Sequence, residues 1–212
     1  MFISDWMTRE VFTASPETSI SEVIRMMKEH GVRHIPVVED DKLTGMLSDR
    51  LIKEYTPSKA TTLDIWELNY LLEKMKAKEV MRKNLVTAAP DTPIEKAAMI
   101  LLDEHIGCLP VVEKDKLVGI ISEKDIFRAL VSITGIRHGG YRFSMCIEDK
   151  PGSIKDVADI IRKNGFVLQS ILTSYEGAPD GCRNIVIRTR GQGNFETLKK
   201  ELEETYSDVK IG

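Results

Sequence analysis

Residues 119–126 read GIISEKDI and residues 45–52 read GMLSDRLI. In the first, Ser122 is followed three residues later by Asp125; in the second, Ser48 is followed at the same spacing by Leu51. On its own the phrase reads as a glycine turn, a serine N-cap and a first-turn acid favoured by the helix dipole. Asp49 lies two residues before Leu51 and projects about 200° away on a helix, so it is a poor replacement for a carboxylate at position 51. Other reactive side chains do not assemble into a constellation. His30 and His34 are four apart, yet Gly31 between them is a helix terminator and no acid or cysteine completes a ligand set, so no metal is expected. Cys108 in IGCLP has no histidine placed to activate it and reads as a small buried residue. GQGNFE (191–196) lacks the third glycine and the lysine of a phosphate loop and reads as a turn.

The chain has 212 residues, a formal net charge of -3 at pH 7 and charges of both signs throughout. That length suits two small domains, and the balance points to neither disorder nor a nucleic-acid surface. Three widely spaced cysteines without a CxxC pair argue against a disulfide framework and fit a reducing cytoplasm. The N-terminal MFISDWMTRE does not read as a leader, and no apolar run is long enough to cross a bilayer, so a cytoplasmic protein without a membrane partner is expected.

The elements that must position Ser122 and Asp125 are written twice. Displaced by 74 positions, residues 7–52 fall on residues 81–126 without a gap. Pro36-Val37-Val38-Glu39 meets Pro110-Val111-Val112-Glu113, and Asp41-Lys42-Leu43 meets Asp115-Lys116-Leu117. Each copy reads as βαββα: a short apolar strand (11–14, 85–88), a turn at proline, a helix, a buried hairpin and a second helix. The first helix of copy two has Thr92 as expected N-cap, Pro93 at the first helical position and Glu95 as box partner; copy one offers Ser19 with Glu22. Ile20, Val23, Ile24 and Met27 form an apolar stripe that needs a face to cover. One copy alone leaves a sheet face bare, so the two must pack together.

Between the copies, TPSKATT ends in a capping residue, and Leu63, Trp66, Tyr70 and Leu71 follow at helical steps, which predicts a helical connector over 57–79. Copy one then spans 1–56 and copy two 80–134. Glycines 135, 139 and 140 mark a linker over 135–140, and a second domain follows over 141–212 in the order βαββαβ. Ser153 is its expected first helix cap, and Asn164-Gly165 the expected left-handed terminator. The whole is a mixed α+β chain whose last domain follows a ferredoxin-like plan, four antiparallel strands under two helices, and favours a homodimer.

The duplicated phrase G-h-h-S/T-x-x-D-h (h apolar), the PVV hairpin and the strand ending in threonine resemble the CBS domain, and the tandem pair resembles a Bateman module. Asp149-Lys150-Pro151-Gly152-Ser153-Ile154 is similar to the D-x-P-G-x-L loop of ACT domains. The order CBS, CBS, ACT resembles the acetoin utilisation protein B family. The CBS resemblance implies an adenine nucleotide (AMP, ADP, ATP or S-adenosylmethionine) in the cleft as a regulatory ligand, with no covalent cofactor. Copy two carries the fuller set: Thr87 ends the strand, Gly107, Cys108, Leu109 and Pro110 offer backbone to the adenine, Ser122 meets phosphate or ribose, and Asp125 accepts the ribose hydroxyls. Copy one supplies Thr13, His34, Ile35, Pro36 and Ser48 but not the aspartate, so a weaker second site is implied.

The ACT resemblance implies an amino acid or other small metabolite at Asp149, Gly152, Ser153 and Ile154. Val167 stands where the family's asparagine is expected, which favours a domain that only dimerises. Taken together these readings give a non-enzymatic sensor. The alternatives are a ligand-free homodimeric scaffold that docks a partner protein and, last, an enzyme, for which no nucleophile, base and oxyanion set is present.

Overall fold

The computed structural model describes residues 1–55 and 65–212. The expected capping segment before the connector and Leu63 lie outside the described residues. The chain divides into two compact units, Met1–Ile126 and Phe127–Gly212.

The first unit runs α1 (Ile20–His30), β1 (His34–Glu39), β2 (Lys42–Ser48), α2 (Asp49–Tyr55), α3 (Ile65–Lys74), α4 (Ala77–Val80), α5 (Ile94–Asp103), β3 (Cys108–Glu113), β4 (Lys116–Ser122) and the start of α6 (Glu123–Thr134). Ser19 accepts a hydrogen bond from the Glu22 amide and so caps α1, which ends at Gly31 in the left-handed region, φ 63°. Its face bearing Ile20, Val23 and Met27 is buried against Ile35, Val37 and Leu47 of the first hairpin. That burial of apolar area drives the copy together.

Both hairpins are antiparallel and share one register, His34 opposite Ser48 and Cys108 opposite Ser122, each with a bulge after the first valine of PVV. Asp40-Asp41 and Lys114-Asp115 turn them with φ between 50° and 66°, the positive values that two-residue hairpin turns require. The hairpins join at Lys42 opposite Lys116, giving the strand order β1-β2-β4-β3.

Three sequence expectations are corrected here. Residues 11–14 and 85–88 form no strand, only single parallel bridges from Ala14 to Val37 and from Ala88 to Val111. Thr92 does not cap α5: its hydroxyl accepts from the Ala89 amide while its carbonyl takes the Ile3 amide, and Pro93 is the helix's N-terminal flank. The glycine of the repeated phrase is not a turn either. Gly45 and Gly119 sit inside β2 and β4 because the entry segment of the other copy crosses there. A Cβ on Gly45 would run into the Met81 side chain, and one on Gly119 would meet the Met7 sulfur and the Thr8 carbonyl. The crossings are fixed by bridges Met46–Arg82 and Thr8–Ile120.

The second unit holds the rest of α6, then β5 (Arg142–Glu148), α7 (Ser153–Lys163), β6 (Val167–Ser174), β7 (Cys182–Arg190), α8 (Phe195–Thr205) and β8 (Ser207–Ile211). Its four strands pair antiparallel in the order β6-β7-β5-β8. Phe143, Met145, Ile147, Ile185 and Ile187 meet Val157 and Ile161 of α7 and Leu198 and Leu202 of α8 in one core. The last turn of α6 is tied to β6, since Ser170 donates to the Thr134 carbonyl and Gln169 to that of Gly135. Asn164 and Gly165 (φ 84°) end α7. Ser153 is its first residue rather than its cap, and its buried hydroxyl faces Arg183 instead.

Candidate functional site

In each copy, the residue before the hairpin is clamped to the start of the following helix: the Asp49 amide donates to the Arg33 carbonyl at 2.9 Å and the Glu123 amide to that of Gly107 at 3.2 Å. These clamps set His34 beside Ser48, and Cys108 beside Ser122. Ser48 Oγ accepts from the Leu51 amide at 3.1 Å. In copy two the aspartate takes over: Asp125 Oδ2 accepts both the Ser122 amide at 3.0 Å and its hydroxyl at 2.7 Å, and Asp125 is only 6% exposed.

A cavity of about 860 Å³ opens between the copies, of the size that takes a small molecule. Copy one lines it with Arg33, His34, Met46, Ser48 and residues 49–51 and 54; copy two with Arg82, residues 84–86, 101–102 and 104–108, Pro110 and Glu123. Of the expected nucleotide residues, Gly107, Cys108 and Pro110 border it together with His34 and Ser48 of the expected weaker set. Thr87, Ser122, Asp125, Thr13 and Pro36 do not border it, and Leu109 and Ile35 are fully buried in the core. Asp49, which helical geometry sets apart from Leu51, borders the cavity along with it, because the space wraps the first turn of α2.

The site mixes charge and apolar surface. Arg33, Arg50 and Arg82 are its guanidinium groups; Asp49, Glu54, Glu104 and Glu123 are its carboxylates. Arg50 pairs with Glu54 at 3.3 Å, and Asp49 with Lys53 at 2.6 Å. Burial holds the His34 imidazole below its ordinary value, against the pull of Glu123 in the other direction. Burial also pushes the Cys108 thiol up to about 12, with the Glu123 charge adding to it. Glu123, Glu104 and Arg82 were not singled out by sequence reasoning. The signal for Glu123 was its equivalence to Asp49 in the 74-residue offset, an acid opening the second helix of both copies.

His30, the other histidine of the spaced pair, stacks on Phe12 with ring centroids 3.6 Å apart.

In the second unit, Asp149, Gly152 and Ile154 border a cavity of about 490 Å³ with Lys150, Pro151, Lys155 and Arg183. Arg183 donates to Ser153 Oγ at 3.1 Å, and its Nε lies 3.6 Å from Asp149 Oδ1. This arginine, from β7, was not legible beside the loop, since 30 residues separate it from Ser153.

The chain matches the CBS domain over residues 3–57 and 77–132, more than half of its length. The chain belongs to the CBS-domain family. It is 35% identical over 124 residues to the CBS domain-containing protein YhcV of Bacillus subtilis, covering 58% of this chain and 81% of that one. A crystal structure of a putative acetoin utilization protein (AcuB) from Vibrio cholerae superposes with a TM-score of 0.55 at 27% identity, covering 65% of this chain and 96% of that one. The CBS domain pair of protein MJ0100, solved in complex with 5-methylthioadenosine and S-adenosyl-L-methionine, gives 0.52 at 25% identity over 62% and 97% of the two chains. The chain spans less than half the length of other curated relatives it matches, 24% of a homoserine O-acetyltransferase of Methanohalobium evestigatum and 46% of protein MJ1225 of Methanocaldococcus jannaschii.

Proposed function

We propose that this CBS pair is the sensing part of a non-enzymatic regulatory protein and that it binds an adenosine-containing metabolite in the cavity between the copies. One observation carries the proposal: a single cavity brings the bare backbone at Gly107, the polar side chains of His34 and Ser48 and the apolar Leu85 and Val86 together from both copies. The complex of the MJ0100 pair with adenosine derivatives lends it support. A ligand that bridges both copies favours one arrangement of them, which is how binding becomes a signal. Asp125 is assigned the positioning of its own helix start. Acetoin utilisation is the associated process suggested by the AcuB resemblance, and a cytoplasmic homodimer the working form.

The second unit fits an ACT-like, ferredoxin-like domain through its βαββαβ order and the Asp149–Ile154 loop, and its smaller cavity would take a second metabolite with an anionic group at Arg183. The test is a thermal titration of the full chain with AMP, ADP, ATP, 5-methylthioadenosine and S-adenosylmethionine. A compound present at 100 times its dissociation constant stabilises by about 2.7 kcal/mol, so at least one is expected to raise the melting temperature by several degrees. No shift with any of them at millimolar concentration rejects the sensor in favour of a ligand-free scaffold.

A further inference from the structure

We infer that the cavity of the first unit takes an adenosine whose 5′ substituent is uncharged or cationic, a thioether or sulfonium nucleoside, in preference to a phosphorylated one, and that Glu123 supplies the carboxylate missing at Leu51. This rests on the proposed function and narrows it. Three guanidinium groups face four carboxylates in the lining, and Lys53, which pairs with Asp49, brings the count level. With Arg50 engaged by Glu54, the site offers no excess of positive charge. A nucleoside monophosphate brings close to two negative charges at pH 7 and longer phosphates bring more, and a desolvated anion without matching cations is costly. α2, whose first turn borders the cavity, has only seven residues, and the longer α6 meets the cavity through Glu123, whose own carboxylate, with Asp125 in the same turn, offsets the positive end of that helix.

The same lining suits the other class. Met46, Leu51, Leu85, Val86 and Leu101 provide an apolar wall for a thioether. Glu123 stands beside Gly107, with Oε2 3.8 Å from the place where a side chain of Gly107 would begin. The His34 ring is nearer still, its Cε1 3.1 Å from that place, so the residue just before β3 has no side chain where an imidazole and a carboxylate from the two copies meet. Such a carboxylate accepts both hydroxyls of a ribose, or faces a sulfonium. In the 74-residue offset, Leu51 is the position of Asp125, and the copy-one carboxylates in the lining, Asp49 and Glu54, are paired with Lys53 and Arg50, so the acceptor at the cavity comes from copy two.

Isothermal titration of the full chain at pH 7.5 and constant salt with 5-methylthioadenosine, S-adenosylmethionine, AMP and ATP tests this. Either of the first two is expected to bind at least about ten-fold tighter than ATP and AMP. Glu123→Gln is expected to weaken that binding by about ten-fold or more, the loss typical of a charged hydrogen-bond partner, with the ligand-free melting curve unchanged. Glu123→Asp, which keeps the charge, is expected to recover part of the affinity. AMP or ATP binding as tightly as the thioether overturns the selectivity while leaving the sensor intact. Full affinity in Glu123→Gln overturns the assignment of the carboxylate, and no binding by any of the four overturns the inference together with the function it rests on.

Discussion

Asp125 shows how one side chain can carry a family motif and yet serve the fold. Its carboxylate holds the amide and hydroxyl of Ser122 and is nearly out of solvent. Asp125→Ala is therefore expected to cost at least about 1 kcal/mol of stability, as loss of a cap does, measured by urea unfolding, while affinity for a ligand in the described cavity stays within two-fold. A large loss of affinity would return Asp125 to the site. His34 behaves differently, because it is held neutral. Its folded pKa lies below the ordinary value of about 6.5, pushed down by burial above all and by Arg33, against Glu123 and Asp49, which draw it up. The unfolded chain thus takes a proton that the folded one resists. The stability it contributes is complete above pH 6.5 and is lost as pH falls below that value. Thermal melts across this window should slope down toward acid, and His34→Gln should flatten the slope. Cys108, with its thiol pushed up to about 12, should escape alkylation at pH 8 while Cys146 and Cys182, both partly exposed, react first; peptide mass spectrometry after iodoacetamide reads the order.

At the level of elements, the repeat was legible because local pattern and fold agree. The apolar stripe of α1, the Ser19 cap, Gly31 and both hairpins follow from side-chain period and turn chemistry, and the 74-residue offset reappears as an identical strand register. Thr92 escaped because a distant partner, the Ile3 amide, fixes its backbone and draws the residue into a turn. Gly45 and Gly119 escaped for the same reason: their lack of a side chain answers to Met81 and Met7, some 36 and 112 positions away in the chain. Gly119→Val should accordingly destabilise the first unit by about 1–3 kcal/mol through overpacking. The matching Met7→Ala change, which opens space against position 119, should recover part of that loss in a double-mutant cycle. Additive losses would mean that the two positions are not in contact.

For the molecule as a whole, the same crossing explains why the cavity's membership could not be read along the sequence. Each copy sends its entry segment to the second hairpin strand of the other, through Thr8–Ile120 and Met46–Arg82. Any space between them is consequently walled by alternating pieces of both copies, and residues grouped by motif in one copy fall on different sides. The family motif tells which residue types begin a helix; only the packing of one copy on the other tells which of them share a solvent-filled space. The second unit is built on its own core, in which Leu198 is fully buried between α8 and the sheet, and shares no residue with the cavity lining. Leu198→Ala should cost that unit about 2–5 kcal/mol, the usual range for a buried leucine. In a calorimetric scan this should lower one transition selectively, while the affinity of the first unit for its adenosine ligand at 25 °C changes less than two-fold. If both transitions fall together and affinity is lost, the two units fold as one cooperative body, and a signal from the cavity has a direct thermodynamic route into the second unit.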